Sequence, residues 1–376
     1  MHFTASLTDL RASLRTARYA TLVLTLALPA LPMCAQNAAN PFLPPPAATV
    51  STVTQNGELN PYGTAFAPLF TSGPRALENQ VLQPGDLLVS NFNNNNQNLQ
   101  GTGTTIVRVD AHGKQTLFFQ GSTQYAGLSA ALGILSDDTV LVGNLKTLDG
   151  TSATASAGAL QIINPSGVLQ NVIANAAIDG PWGMAIHERD RSVDVFVANV
   201  LNGTIARLTF RHEKGVLSLE KSTVIATGLN HRPDPAALEL GPSGLLYSPW
   251  DDTLLIASSA DNAIYRIERA STAGAGEAIP ELFFQDDVHL HGPIDMALTP
   301  NGHLLAANSD GSNVDPNQPS EIVEYTAEGA FVAEFPVDAN NGGAFGIATQ
   351  PLGAATRLAA VDDNTATVTI YTEVNW

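Results

Sequence analysis

Two histidines spaced by two, His289 and His291, precede Asp295 in the stretch DVHLHGPID. Imidazoles at that spacing with a carboxylate beside them are ligands of the kind Zn2+ takes. His231, in NHRPDP, would have to join them from another part of the chain. The plainer reading is that these are loop histidines bonding backbone groups. A second concentration of chemistry is amide: between Asn91 and Asn98, six of eight residues are asparagine. Amide and carboxylate oxygens suit a hard cation such as Ca2+, or the hydroxyls of a sugar. No Gly-x-Ser-x-Gly elbow appears. The glycines of GTGTT, residues 101–105, precede a strand pattern and not a helix, so they cradle no phosphate at a helix N-terminus. Spacing alone identifies no paired catalytic carboxylates.

The elements that must position these groups are strands. The chain has 376 residues, of which 14% are charged and 44% apolar, with 31 glycines and 23 prolines. That composition suits many short strands and turns, and beyond the N-terminus no long run carries apolar residues at i, i+3, i+4, i+7. Six stretches look alike: NPYGTAFAP, SAALGILSD, GPWGMAIHE, GPSGLLYSP, GPIDMALTP and GGAFGIATQ. Aligned, they set Gly63, Gly133, Gly183, Gly244, Asp295 and Gly346 at one position. Each is followed by a second apolar strand with a polar end (LLVSN, VLVGN, VFVAN, LLIAS, LLAAN, LAAVD), then a third, and in most units a fourth.

Four strands repeated at roughly 50-residue intervals predict β-propeller blades, here six. The sixth unit ends at Trp376 after three strands, and TVSTVT at 49–54 is the natural donor of its missing outer strand. The expected fold is therefore all-β: a six-bladed propeller over 49–376, closed by an N-terminal strand that completes the last blade. Residues 36–48, with PFLPPP, read as an extended linker. Removing 36–46, which has no strand pattern, is expected to change stability little. Gly183→Val is expected to cost more than Gly203→Ala, since Gly203 reads as a turn glycine.

In this architecture the loop between second and third strands lies on the same face as the start of each first strand. The asparagine tract is that loop in blade one. LKTLDGTSATASAG in blade two and SDGSNVDPNQPS in blade five are its long counterparts, and long polar loops on one face of a rigid scaffold are where binding sites sit. The second-strand ends form a register of their own: Asn91, Asn144, Asn199, Ser258, Asn308 and Asp362. One reading is structural, with each side chain capping its own turn. The other is a ring of oxygen-bearing groups at the channel mouth, which Asp310 and Asp295 would join.

The repeat resembles that of NHL-repeat propellers, with Asn202-Gly203-Thr204-Ile205-Ala206-Arg207-Leu208 and Asn262-Ala263-Ile264-Tyr265-Arg266-Ile267 the best matches. The resemblance implies a platform used for binding or for catalysis. NHL-type lyases that cleave hydroxyglycine peptides hold metal with histidines from several blades. Here only blades four and five offer them at matching places, as His231, His289 and His291, and His187 falls later in its strand. More distantly, the chain is similar to gluconolactonase-like six-bladed propellers, whose divalent metal is held by a Glu, an Asn and an Asp around the channel. The glutamate's place is taken by Asn60-Pro61-Tyr62-Gly63, a departure that counts against lactonase activity, although the resemblance leaves Asn199 and Asp295 as possible shared ligands.

Arg11, Arg15 and Arg18 precede an apolar run from Tyr19 to Ala30 and a small-residue exit at Ala35, the pattern of a secretory signal over residues 1–35. Cys34, the only cysteine, is either incidental to that signal or the lipidated first residue of a lipoprotein. The formal charge is −18, and removing residues 1–35 takes away three arginines and one aspartate, leaving −20. A chain so acidic is not built for nucleic acid or an anionic membrane. The sequence thus points to an exported, periplasmic or extracellular monomer without a transmembrane segment. It would bind a protein, glycan or small polar ligand through its Asn/Asp-rich face, with Ca2+ or Zn2+ the cofactors to consider. The alternative is a metal-dependent hydrolase or lyase of the gluconolactonase-like class.

Overall fold

Six apolar, strand-forming units with no helical period must bury their sheets against one another. A computed structural model describes residues 41–42, 46–70, 81–94, 99–309, 320–353 and 355–374, all within one unit spanning Ala38–Trp376. The described residues form a six-bladed β-propeller of four-stranded antiparallel sheets. Strand β1 (Pro46–Ser51) comes first. Blade one is β2 (Leu59–Phe66), β3 (Leu87–Asn93), β4 (Thr105–Val109) and β5 (Gln115–Gln120). Blade two is β6 (Leu128–Ile134), β7 (Val140–Asn144), β8 (Ala159–Ile163) and β9 (Leu169–Ile173). Blade three is β10 (Pro181–Arg189), β11 (Ser192–Asn199), β12 (Thr204–Glu213) and β13 (Val216–Ala226). A small hairpin, β14 (Arg232–Asp234) and β15 (Leu238–Leu240), precedes blade four: β16 (Pro242–Ser248), β17 (Thr253–Ser258), β18 (Ala263–Glu268) and β19 (Glu281–Gln285). Blade five is β20 (Pro293–Leu298), β21 (Leu304–Asn308), β22 (Glu321–Tyr325) and β23 (Phe331–Pro336). Blade six is β24 (Ala344–Leu352), β25 (Ala355–Asp362) and β26 (Thr367–Val374), with β1 as its outer strand.

The first strands touch in the ring order β2, β6, β10, β16, β20, β24 and back to β2. Between the blades lie layers of buried apolar side chains. Leu141, Leu160, Val195, Val197, Leu208 and Phe210 fill the space between blades two and three. Each such side chain stabilises by about 1.5–3 kcal/mol when fully buried. Outer strands are half exposed, as in β9, because nothing packs beyond them. Hydroxyl groups stitch the inner wall: Ser90 Oγ donates to Ser129 O at 2.9 Å, Ser129 Oγ to Pro181 O at 2.6 Å and Ser243 Oγ to Pro293 O at 2.8 Å.

The ring closes as the repeat count predicts, with Thr49 paired to Thr369 and Val50 to Val368. The strand begins at Pro46, three residues before the expected boundary. The arm ahead of it is not idle either. Phe42 is only 3% exposed, belongs to the largest buried apolar cluster, and donates its N–H to Glu324 Oε2 at 2.6 Å. Glu324 is fully buried and its other oxygen meets His303 Nδ1 at 2.5 Å. Removing 36–46 would therefore take away both the buried Phe42 and Pro46, the first residue of β1, so a quiet deletion is no longer the expected result.

The glycine register holds in four blades and slips in one. An added Cβ at Gly183 would lie 1.9 Å from Ser243 O, on the next blade's inner strand, so only glycine allows that approach. In blade two, Leu128 pairs with Asn144 as Pro181 pairs with Asn199, so the equivalent place falls at Ala130 and Ala131. Gly133 lies further down the strand, where its Cβ would meet Ile186. Gly203 is also tighter than a simple turn glycine: its φ is +64° and a Cβ would stand 2.1 Å from Leu229 O.

Candidate functional site

The second-strand ends all sit buried on one face, which we call the upper face; the asparagine amide nitrogens among them are occupied, while the Oδ1 atoms of Asn91, Asn144 and Asn308 meet no donor among the described residues. Asn91 Nδ2 donates to Thr52 O at 3.0 Å and to Thr105 Oγ1 at 3.1 Å. Asn144 Nδ2 donates to Ala126 O at 2.9 Å. Asn199 Nδ2 donates to Ala177 O at 3.0 Å, and its Oδ1 accepts from the Asp179 N–H at 2.9 Å. Asn308 Nδ2 donates to His289 O at 2.7 Å. In these four blades the amide ties the end of the second strand to the loop leading into the first strand of its own blade. Ser258 Oγ donates to Asp261 Oδ2 at 2.8 Å, and Asp362 accepts from the Thr365 hydroxyl. Asp310 lies outside the described residues.

The histidines go separate ways. His289 Nδ1 meets Asp286 Oδ2 at 2.7 Å, and its ring stacks on Phe331 with centroids 3.7 Å apart. His291 Nε2 faces Val288 O at 3.1 Å, and His231 lies beside the Gly203 turn. Asp295 bridges blades five and six: its oxygens accept the N–H groups of Met296 and Ile347, each at 2.9 Å. Burial nevertheless pushes its carboxyl up to about 7. Among the described residues, no three His, Cys, Asp or Glu side chains stand close enough to hold a metal ion.

What the upper face does assemble is a pocket of about 210 Å3 over the channel mouth. Its floor is aromatic. Tyr62 is stacked between Phe92 and Phe345, at 4.3 and 4.4 Å, and Trp182 meets Tyr62 edge-on at 5.7 Å. Its walls come from distant parts of the chain: Asn60, Gln100, the β14–β15 turn at Ala236 and Ala237, Asn341 and Asp363. Gln100 Nε2 donates to Ala236 O at 2.9 Å, which joins the blade-one loop to the hairpin. Leu238 at the hairpin's base is buried in the same apolar cluster as Trp182.

Asp363 is the unusual group here. Part of its surface reaches the pocket, yet protein encloses its carboxyl on most sides. Burial, and then the charge of neighbouring Asp362, push it up to about 8. Burial and then Asp363 hold the Tyr62 hydroxyl well above its ordinary value. Asn60, left-handed at φ 68°, turns its amide nitrogen to Asp363 and its oxygen to Asn93 Nδ2 at 2.6 Å, the orientation its neighbours require. Sequence reasoning stopped at Asp362, one residue short. The doubled acid of Asp362-Asp363, where no other blade ends its second strand in two carboxylates, was the available signal.

A pH dependence follows. A carboxyl raised in the folded state adds stability that is complete below its unfolded value near 3.8 and lost as pH rises through the folded one, about 8. Asp295 acts in the same direction up to about 7. Stability is thus expected to fall between pH 5 and pH 8, by up to about 1.4 kcal/mol per pH unit for each group, and the melting temperature with it. Asp363→Asn should flatten that slope in part, as read from thermal melts across the range. A melting temperature that climbed over this window would contradict the burial of both groups.

The fold defines the class: a six-bladed β-propeller of four-stranded antiparallel blades, with a pocket on its upper face over an aromatic cluster. No protein-family model matches the sequence, and no curated protein matches it either. Solved structures of similar fold do exist. An α-L-arabinanase of Penicillium chrysogenum, complexed with arabinobiose, aligns with a TM-score of 0.53 and 13% identity over 88% of this chain and 99% of that one. A gluconolactonase of Xanthomonas campestris aligns with a TM-score of 0.50 and 10% identity over 88% and 99%. Regucalcin, a calcium-binding protein of Agrobacterium tumefaciens, aligns with a TM-score of 0.48 and 16% identity over 87% and 94%. At these identities the likeness is one of fold. Among the described residues no helix is long and apolar enough to cross a membrane.

Proposed function

We propose that the protein is an exported binding module that takes a small neutral polyol, or one sugar unit of a glycan, in the mouth pocket. The observation that carries this reading is the set of polar groups there. Asp363 is protonated near neutral pH, the Asn341 carboxamide has no partner among the described residues, and Gln100 Oε1 meets no donor. Such groups both donate to and accept from hydroxyls, and they offer a cation little charge. At about 210 Å3 the cavity suits one small unit and not a drug-sized ligand. The basic, apolar and small-residue order of residues 1–35 supports export. The same fold holds arabinobiose in the arabinanase. What supports the reading here is this chain's own lining.

A panel of neutral mono- and disaccharides, alongside Ca2+, Zn2+ and a chelator, tests it by thermal melt, since a ligand of the native state raises the melting temperature. At least one sugar is expected to do so. Asp363→Ala should weaken that sugar about tenfold, the worth of one hydrogen bond, while the free protein still unfolds cooperatively. A response to a metal alone would favour the metal-dependent hydrolase or lyase instead. No response to any sugar would sink the polyol reading.

A further inference from the structure

Asparagine is followed by glycine four times: Asn56-Gly57, Asn202-Gly203, Asn301-Gly302 and Asn341-Gly342. Asparagine is thermolabile, and such a pair can lose its amide without an enzyme. The glycine backbone nitrogen gives up its proton and attacks the side-chain Cγ. The bond from Cγ to the amide nitrogen breaks, and ammonia leaves with that proton. Water then opens the resulting cyclic imide at either carbonyl, leaving aspartate or isoaspartate. Water is the only co-reactant, and no electrons are exchanged with an outside group. Two features of a fold oppose this: a glycine N–H held in a hydrogen bond, and a carboxamide fixed by partners of its own.

Three of the four pairs have both. The Gly57 N–H donates to Thr54 O at 2.8 Å, and Asn56 Oδ1 accepts from the Thr54 hydroxyl. The Gly203 N–H donates to Asn199 O at 3.1 Å, and Asn202 Oδ1 accepts from Thr204 Oγ1 at 2.7 Å. The Gly302 N–H donates to Thr299 O at 3.0 Å, and Asn301 Oδ1 accepts from the Thr299 hydroxyl. The fourth pair differs. Asn341 is exposed, and only its main-chain carbonyl is engaged, by Asn364 Nδ2 at 3.0 Å. Neither its carboxamide nor the Gly342 N–H has a hydrogen-bond partner among the described residues.

We propose that Asn341 is a site of spontaneous deamidation, which turns a neutral wall of the mouth pocket into an acidic one, while the fold protects the other three pairs. The conversion needs no knowledge of the pocket's ligand. It makes the upper face chemically different in young and aged protein, since it sets a new carboxylate in the pocket that Asp363 also lines.

Peptide mass spectrometry on folded protein incubated at mildly alkaline pH tests the proposal. The Asn341 peptide is expected to gain the acid at least about tenfold faster than the other three, the factor that freeing one or two hydrogen bonds gives. In chain unfolded by denaturant, all four should convert at comparable rates. Asn341→Gln should remove the acidic species that the folded wild type accumulates on isoelectric focusing. The proposal is overturned if Asn341 keeps its amide, if another pair leads, if the unfolded chain shows the same bias, or if the acidic species persists in Asn341→Gln.

Discussion

Removing residues 1–51 is expected to unfold the propeller or drive it to aggregate. β1 supplies the whole outer strand of blade six, from Pro46 against Tyr371 to Ser51 against Thr367. Without it β26 presents an open edge, the template on which other chains pair. The next residue adds to the joint: the Thr52 N–H donates to Ala366 O at 2.9 Å, while Thr52 O receives the Asn91 amide at 3.0 Å. A shorter deletion of residues 1–45 spares the strand but loses Phe42. It should cost about 3–5 kcal/mol, the range for removing a buried phenylalanine, with Glu324 also losing a donor. Deleting only residues 1–40 should leave stability unchanged. Denaturant midpoints and size-exclusion profiles of the three truncations give the order. An unchanged midpoint for the longest one would mean that β1 does not close the ring.

Gly183→Val should be nearly as severe. Its Cβ would meet Ser243 O at 1.9 Å and the carbonyl carbon at 2.6 Å, both backbone atoms of the neighbouring inner strand. No rotamer relieves such a clash, so blades three and four must part, and a loss above about 4 kcal/mol is expected. Gly203→Ala is no longer a mild control, because a left-handed φ and the Leu229 carbonyl both oppose it. The proper control is Gly276→Ala, at φ +67° with nothing within 4 Å, which should cost about 1 kcal/mol. If Gly183→Val melted alongside Gly276→Ala, the inner strands could not be packed as described.

The architecture was legible in the chain because its signals are local and repeated. Six apolar second strands stop at a polar residue, and the sixth unit runs out one strand short while an unpaired strand waits at the other end. The second-strand register was legible too, but what its side chains do was not. Asn199 reads the same whether its amide faces a ligand or, as here, Ala177 O. Where the signal was singular the sequence said little. Phe42 lies in a proline-rich stretch with no period. The blade-two bulge is one residue longer than its neighbours', and Gly133 lies still further down the strand than the place equivalent to Gly183. The β14–β15 hairpin is too short for any pattern to show. The mouth pocket belongs wholly to the tertiary structure. Asn60 and Asp363 lie near opposite ends of the chain, and only closure of the ring sets one amide against the other's carboxyl. The protonation of that carboxyl is decided the same way. It comes from the protein packed around Asp363 and the charge of Asp362, and an aspartate in a sequence carries no record of how much water it will keep.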